Sequence, residues 1–266
     1  VRQVLLPLWN AYYFFTLYAD AAEKGAGYLA APVDVDDPDA VAALDVQDRY
    51  LLANTKGLVD ALRAQLDALG HPPPRWTPAA AGVRWLKGVL RDHLDPADPA
   101  NREWLRHDYR HAPTMTDRLS ALQALARHDD AARTEALADF HERFATQPLV
   151  LDKWFAVQAR AAASVAELEA LAALPSFNPD NPNRSRALLL TLARFNLAQF
   201  HRADGGGYRF FAAQLKRIIT RNPQNVSRLL NAFALSAKLD AGRRARVAAV
   251  LDDLAATPGL AVEVQE

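Results

Sequence analysis

Helix-start signals recur along the C-terminal half of this chain, and they constrain its fold more than any other feature. Asn181-Pro182 and Asn222-Pro223 each place an asparagine, whose side chain can accept the first free backbone N–H groups, before a proline at the first helical position. Ser164 and Glu167 have the spacing of a capping box. Further predicted starts are Thr116-Asp117, Asp129-Asp130 and Asp240, and predicted stops are Pro148, Pro175, Gly205 to Gly207, and Pro258-Gly259. These signals indicate helices of about 12 to 18 residues joined by short turns.

No stretch alternates apolar and polar residues for long enough to predict a strand. Short helices in direct succession are typical of an α-solenoid or an irregular bundle. We therefore predict an all-α protein without a sheet. The segment 149–155 has helical apolar spacing, which predicts that Trp154 and Phe155 are core residues.

The N-terminal part predicts a helical hairpin. Residues 1 to about 20 place Val4, Leu8, Tyr12 and Phe15 on one helical face. Residues 24–40 contain glycine, proline and aspartate and predict a loop, and residues 47–69 again have helical apolar spacing.

The sequence Gly70-His71-Pro72-Pro73-Pro74 is the clearest domain boundary. Consecutive prolines cannot donate backbone hydrogen bonds and favour an extended chain. We predict a hairpin over residues 1–69, a proline-rich linker over 70–82, a solenoid-like helical superhelix over 83–257 and a tail over 258–266.

Composition excludes several function classes. Lysine and arginine balance aspartate and glutamate, 31 against 31, which argues against a protein that holds nucleic acid or an anionic membrane by its net charge. The chain has no cysteine, so disulfides and cysteine-based zinc sites are excluded. Its longest apolar stretch is too short to span a bilayer. We expect a cytoplasmic protein with no membrane partner.

Five segments carry a family resemblance in the C-terminal part. They are Met115-Thr116-Asp117-Arg118, Leu149 to Phe155, Asn181-Pro182-Asn183-Arg184, Phe200 to Phe210, and Asn222-Pro223-Gln224. In order and spacing this set resembles the C-terminal helical domain of the zinc-dependent aminopeptidase N family over residues 83–257. The family usually has asparagine where Thr114 stands and serine where Gly206 stands.

The resemblance implies a helical cap without catalytic residues of its own, which encloses the substrate cavity of a separate catalytic domain. The implied partners are that catalytic domain and peptides, and zinc would belong to the catalytic domain. The positions that would line the cavity from the cap side match Arg186, Gln224 and Arg228. A guanidinium facing such a cavity can bind a peptide carboxylate bidentately. The alternative is that these arginines form surface or inter-helix ion pairs.

Residues 1–69 resemble a different family. Arg2 to Asn10, Tyr13-Phe14-Phe15 and Asp48 to Ala53 are similar to the anticodon-binding helical domain of isoleucyl-tRNA synthetase. The implied partner is tRNA, and the alternative for the aromatic residues is core packing. Two truncated resemblances in one chain leave a third interpretation open, a chimeric or designed helical protein without biological activity.

No complete active site is present in the sequence. Aminopeptidase chemistry of this type needs a His-Glu-x-x-His helix, in which two histidines bind the metal and the glutamate activates its water. The nearest match, His107-Asp108-Tyr109-Arg110-His111, replaces the glutamate with a shorter aspartate and has no identifiable third ligand. We predict that these histidines are solvated and that the chain has no metal site, no cofactor and no enzymatic activity.

The remaining candidate motifs also favour structural interpretations. No nucleotide-binding synthetase signature is present, and Gly205-Gly206-Gly207 lacks the Gly-Lys-Ser/Thr of a phosphate loop, so we expect it to form a turn. The basic residues between Lys216 and Arg246 have no interleaved aromatic residues. They predict a solvated face or a domain-docking surface.

Overall fold

The computed structural model describes residues 38–44, 66–70, 77–94 and 98–257, together with positions 49, 57, 60, 61 and 64. The predicted first helix lies outside the described residues. The chain divides into two compact units, residues 1–64 and residues 65–266.

The described part of the first unit contains helix α1 (Pro38–Ala42). The loop prediction for residues 24–40 is wrong at its end, because Pro38 begins this helix and Asp39 lies in its first turn. Both residue types favour a helix N-terminus. The described positions from 49 to 64 are helical, as the pattern over residues 47–69 predicts.

The second unit is a succession of helices, and its described residues contain no strand. The all-α prediction is therefore confirmed. In chain order the helices are α2 (Pro78–His93), α3 (Pro99–His111), α4 (Met115–Leu125), α5 (Ala131–Phe144), α6 (Pro148–Ala161), α7 (Val165–Ala173), α8 (Pro182–Phe195), α9 (Leu197–Phe200), α10 (Gly206–Lys216), α11 (Pro223–Leu230) and α12 (Ala241–Ala255). Two 3₁₀ turns, Asn231–Phe233 and Ser236–Lys238, separate α11 from α12. None of the described helices is both long and apolar enough to cross a membrane.

The helices of the second unit pack as two layers. In one layer α2 contacts α4, α4 contacts α6, α6 contacts α8, and α8 contacts α11. In the other layer α3 contacts α5, and α10 lies between α7 and α12. An arrangement in which every second helix packs on the one before it is that of an α-solenoid, as the sequence predicts.

Most of the predicted helix starts are the observed N-caps. The side chains of Asp130, Ser164, Asn181, Asn222 and Asp240 each accept a backbone N–H of the following turn. A cap of this kind satisfies donors that the helix itself leaves free.

Four boundary predictions are wrong. Thr114, rather than Thr116-Asp117, caps α4. Thr77 accepts the N–H of Ala80 at 3.2 Å, so α2 begins at Pro78, inside the stretch assigned to the linker. Pro148 and Gly206, predicted as stops, begin α6 and α10. Proline at the first helical position costs no hydrogen bond, because that N–H has no partner within the helix.

The core of the second unit includes Trp154 and Phe155, as predicted. Their exposed fractions are 8% and 0%, and the indole nitrogen of Trp154 donates to the carbonyl of Leu137 at 2.8 Å. Further along the chain, Phe200 forms edge-on ring contacts with Tyr208 and Phe211. These aromatic contacts tie α9 to α10.

Gly207 makes the close approach of α9 and α10 possible. A Cβ atom at this position would lie 2.2 Å from the carbonyl oxygen of Gln199 and 2.5 Å from that of Phe200. Since both are backbone atoms, no side-chain movement could relieve the clash. The prediction of a turn is thus confirmed only for Gly205, which precedes α10 with a left-handed backbone at φ 74°. Gly206 and Gly207 lie in the first turn of α10, and Gly207 is needed for packing.

We predict that Gly207→Ala lowers the free energy of unfolding by about 1 to 3 kcal/mol or more, because the added methyl overpacks a rigid site. Gly206→Ala is the matched control, since the nearest atom to its Cβ would be a side-chain oxygen of Asp204 at 3.2 Å. Chemical denaturation of both variants measures the difference. Equal stability of the two variants would contradict the packing role of Gly207.

Candidate functional site

Two of the segments that carry the aminopeptidase resemblance meet in a buried ion pair. Arg184 of α8 donates through Nε to Asp152 Oδ1 of α6 at 2.5 Å, and the two side chains are 6% and 12% exposed. The Arg184 guanidinium also lies 4.8 Å from the centre of the Phe155 ring and donates to the carbonyl of Ser176. These residues hold two neighbouring helices together and have no free donor surface for a ligand.

The segment Met115 to Arg118 has a capping role as well. The hydroxyl of Thr114 donates to Asp117 Oδ2 at 2.6 Å, and the N–H of Asp117 donates back to the Thr114 hydroxyl at 3.1 Å. Asp117 is 1% exposed. This reciprocal pair stabilises the first turn of α4.

The segment Phe200 to Phe210 contains a half-buried histidine. His201 Nδ1 lies 2.7 Å from the hydroxyl oxygen of Tyr208. Burial and the nearby Arg243 guanidinium lower the pKa of His201 below its ordinary value, so the imidazole is neutral at physiological pH. The Nε of Arg243 donates to the carbonyl of His201 at 2.6 Å, which links α12 to this segment.

The three predicted cavity-lining residues lie on the outer sides of α8 and α11. Arg186 is half-buried, and it donates to the carbonyl of Pro182 and to the side-chain oxygen of Asn183, both at 2.8 Å. Gln224 and Arg228 are exposed. Within the described part of the chain neither side chain has a hydrogen-bond or ion-pair partner. Arg186 therefore bonds only within its own helix, and Arg228 remains available to an anion.

The helices that carry these residues are joined by a single buried hydrogen bond. Asn225 Nδ2 donates to the Ser185 hydroxyl at 2.9 Å, and both residues are buried. Ser185 precedes Arg186, and Asn225 follows Gln224 directly. The candidate residues are thus immediate neighbours of the contact between α8 and α11.

His107 and His111 lie on one exposed face of α3. The two exposed rings stack with centroids 4.1 Å apart, and His111 Nδ1 lies 2.8 Å from the carbonyl oxygen of His107. The described residues contain no group of three or more side chains that could hold a metal ion. The prediction that these histidines are solvated agrees with their exposure.

Asp108, between the two histidines, belongs to a buried charge cluster. Arg91 donates through Nε to Asp108 Oδ2 at 2.7 Å, and Lys87 Nζ lies 3.8 Å from Oδ1. All three side chains are at most 5% exposed. Burial lowers the pKa of Lys87, and Asp108 opposes that shift. The sequence analysis missed this cluster, although Lys87 and Arg91 interrupt the apolar face of α2 at a spacing of four.

Much of the predicted basic surface is already paired. The Nζ atom of Lys216 lies 2.7 Å from Asp253 Oδ2, and the Nε atom of Arg221 lies 2.8 Å from Asp180 Oδ1. Arg217 donates to the carbonyl of Ala172 at 3.1 Å. These three side chains connect segments of the second unit that are distant along the chain, which leaves less basic surface than the sequence suggests.

Comparison with known proteins identifies the family. A family described as a domain of unknown function with ARM repeats, DUF3458_C, matches residues 24–266, and the chain belongs to it. ARM repeats are helical repeats that stack into a superhelix, which agrees with the two helical layers.

Curated relatives extend this assignment. The chain is 38% identical to aminopeptidase N of Caulobacter vibrioides over 230 residues, which are 80% of this chain and 26% of the relative. It is 38% identical to aminopeptidase N of Haemophilus influenzae over 186 residues, which are 69% of this chain and 21% of that relative. The chain is homologous to the C-terminal helical domain of these enzymes and spans only about a quarter of their length.

Two further matches complete the comparison. The chain is 54% identical to the isoleucine–tRNA ligase of Bifidobacterium longum over 67 residues, which are 25% of this chain and 6% of the ligase. The crystal structure of Legionella pneumophila aminopeptidase A in complex with aspartic acid matches with a TM-score of 0.68 and 22% identity, over 85% of this chain and 29% of that one. The structural match supports the fold alone.

We predict that Asp108→Asn lowers the free energy of unfolding by about 3 to 5 kcal/mol, because it leaves two buried cations without their carboxylate. His107→Ala and His111→Ala serve as controls and should change stability by at most about 0.5 kcal/mol, since both rings are exposed. Urea denaturation measures all three, and titration with zinc should show no histidine-dependent binding. A tolerated Asp108→Asn, or zinc binding lost in both histidine variants, would contradict a structural role for this segment.

Proposed function

We propose that this chain is a non-catalytic helical cap, which encloses the substrate cavity of an aminopeptidase catalytic domain and controls access to it. The observation that carries the proposal is the availability of Arg228 and Gln224 beside the contact of α8 with α11. The homology to the C-terminal domain of aminopeptidase N gives this surface its proposed partner. Any zinc would be held by that catalytic domain.

The helical geometry supports a shared surface for the three residues. Successive side chains of an α-helix are about 100° apart. Ser185 faces α11, so Arg186, one residue later, is rotated by about 100° around α8 in the direction of the chain. Asn225 faces α8, so Gln224, one residue earlier, is rotated by about 100° around α11 in the opposite direction. Arg228, three residues after Asn225, is rotated by about 60° in that same opposite direction. When two helices run in the same direction, as successive helices of one solenoid layer do, these opposite rotations lead to the same side.

The chemistry of this surface suits a peptide carboxylate. Two guanidinium groups offer planar pairs of donors that match the two oxygens of a carboxylate. Gln224 adds a neutral donor and acceptor that can contact a peptide bond. A cap with these groups would favour short peptides whose C-terminal carboxylate reaches it.

Interaction with tRNA is the second candidate, supported by the 54% identity of one segment to an isoleucine–tRNA ligase. Acidic residues outnumber basic ones among the first 70 residues, which is unfavourable for binding phosphates. The match also covers only 6% of that ligase. We therefore place the aminopeptidase role first.

The test is a hybrid enzyme in which this chain replaces the homologous segment of the Caulobacter vibrioides aminopeptidase N. We predict that Arg228→Ala raises KM about tenfold for a tripeptide with a free carboxylate, which corresponds to about 1.4 kcal/mol. The same tripeptide with a C-terminal amide should be affected little, because it has no carboxylate to lose.

Arg244→Ala is the matched control, since Arg244 is an exposed arginine of α12, in the other helical layer. It should leave both substrates unchanged. Equal effects of Arg228→Ala on the acid and the amide, or no effect on either, would contradict the proposed contact.

A further inference from the structure

A second basic site lies between α3, α4 and α5, away from the proposed peptide surface. It is a cavity of about 140 Å³, which we call the arginine pocket, lined by Arg106, Arg110, Arg118, Arg143, Tyr109 and Asp139, with Glu135 beside them. One water molecule occupies about 30 Å³ of the liquid, so this volume has room for a compact ion. The pocket opens to solvent, since Arg110 and Arg143 are each more than half exposed.

The charges of the pocket do not balance. Four guanidinium groups line it against the carboxylates of Asp139 and Glu135, which leaves two positive charges in excess. The Oε2 atom of Glu135 lies 3.2 Å from Arg106 Nη2 and 3.9 Å from Arg110 Nη2. Glu103, which is not among the lining residues, also approaches Arg106, at 3.7 Å. Glu103, Glu135, Arg110 and Arg143 are all more than half exposed, so water screens each of these charges.

Asp139 is fully engaged within the protein. Its Oδ2 atom accepts a hydrogen bond from the Tyr109 hydroxyl at 2.6 Å. The Nε atom of Arg143 lies 2.8 Å from each of its two carboxylate oxygens and donates to both. Burial alone would raise the pKa of Asp139, but the hydrogen bonds from Tyr109 and Arg143 lower it below its ordinary value. Asp139 is thus an anion that orients Tyr109 and Arg143, and the nearby charge of Arg118 also lowers its pKa.

Arg118 supplies the unused donors. Its Nη2 donates to the carbonyl of Ala112 at 3.2 Å, and its guanidinium lies 5.2 Å from the centre of the Tyr109 ring. The Nη1 atom of Arg118 and the Nε atom of Arg106 are buried and have no hydrogen-bond partner among the described residues. Buried donors are satisfied in most proteins, so these two guanidinium groups have donors to spare beside the pocket.

We propose that the arginine pocket binds a small doubly charged oxyanion, in which phosphate or dicarboxylate oxygens accept from Arg118 and Arg106. A dianion balances the two excess charges, and its oxygens match the planar forks of the guanidinium groups. The pocket is a regulatory or stabilising anion site, and it is independent of the proposed cap function.

The experiment measures binding by the full chain. Thermal unfolding is followed by circular dichroism in sodium phosphate, in sodium succinate and in sodium chloride at the same ionic strength and pH. At tenfold the dissociation constant, one of the two dianions should raise Tm by about 3 to 6 °C over chloride. Stabilisation by phosphate alone assigns a phosphate site, and stabilisation by succinate alone assigns a carboxylate site.

Variants locate the binding. Isothermal titration calorimetry should show at least a tenfold loss of affinity in Arg118→Gln and in Arg106→Gln. The second variant keeps the test decisive if the first fails to fold, since Arg106 is 34% exposed. Arg244→Gln is the control, because Arg244 is exposed and donates to the carbonyl of Leu239 at 2.7 Å. No stabilisation by either dianion, or equal stabilisation of all variants, would overturn the proposal.

Discussion

The second unit depends on arginines whose guanidinium groups join one helix to the next. A solenoid of short helices has many ends, and each end leaves backbone carbonyl groups without partners inside the helix. Arg127 donates to three such carbonyls after α2, those of Arg91, Asp92 and Leu94, at 2.6 to 3.1 Å. Arg184 donates to the carbonyl of Ser176, which follows α7, while its Nε atom donates to the Asp152 carboxylate. A guanidinium suits this task because its five donors can satisfy a carboxylate and several carbonyls together.

These contacts explain how segments can be distinctive without carrying chemistry. Asp152 and Arg184 belong to different segments of the aminopeptidase resemblance and pair with each other, so they hold α6 to α8. They thereby support α8, which carries Arg186. The proposed function therefore rests on a rigid base and on a few exposed residues beside it, since a binding surface needs its supporting side chains held in place.

The sequence predicts the helices well because their starts are local. An asparagine before a proline specifies a cap within three residues, and Asn181 and Asn222 both cap as expected. The buried ion pairs were not predictable, because Asp152 and Arg184 are separated by 32 positions and only the folded chain brings them together. The candidate site shows the same division. Its residues came from a family resemblance, whereas the arginine pocket could be recognised only once α3, α4 and α5 were packed.

A double-mutant cycle on Asp152 and Arg184 tests the central claim most directly. The free energy of unfolding is measured for the unaltered chain, for Asp152→Ala, for Arg184→Ala and for the double variant. If this buried pair holds α6 to α8, the coupling energy should be about 1.5 kcal/mol or more, within the range for residues in direct contact. A coupling energy below about 0.5 kcal/mol would contradict it, since the two side chains would then contribute independently.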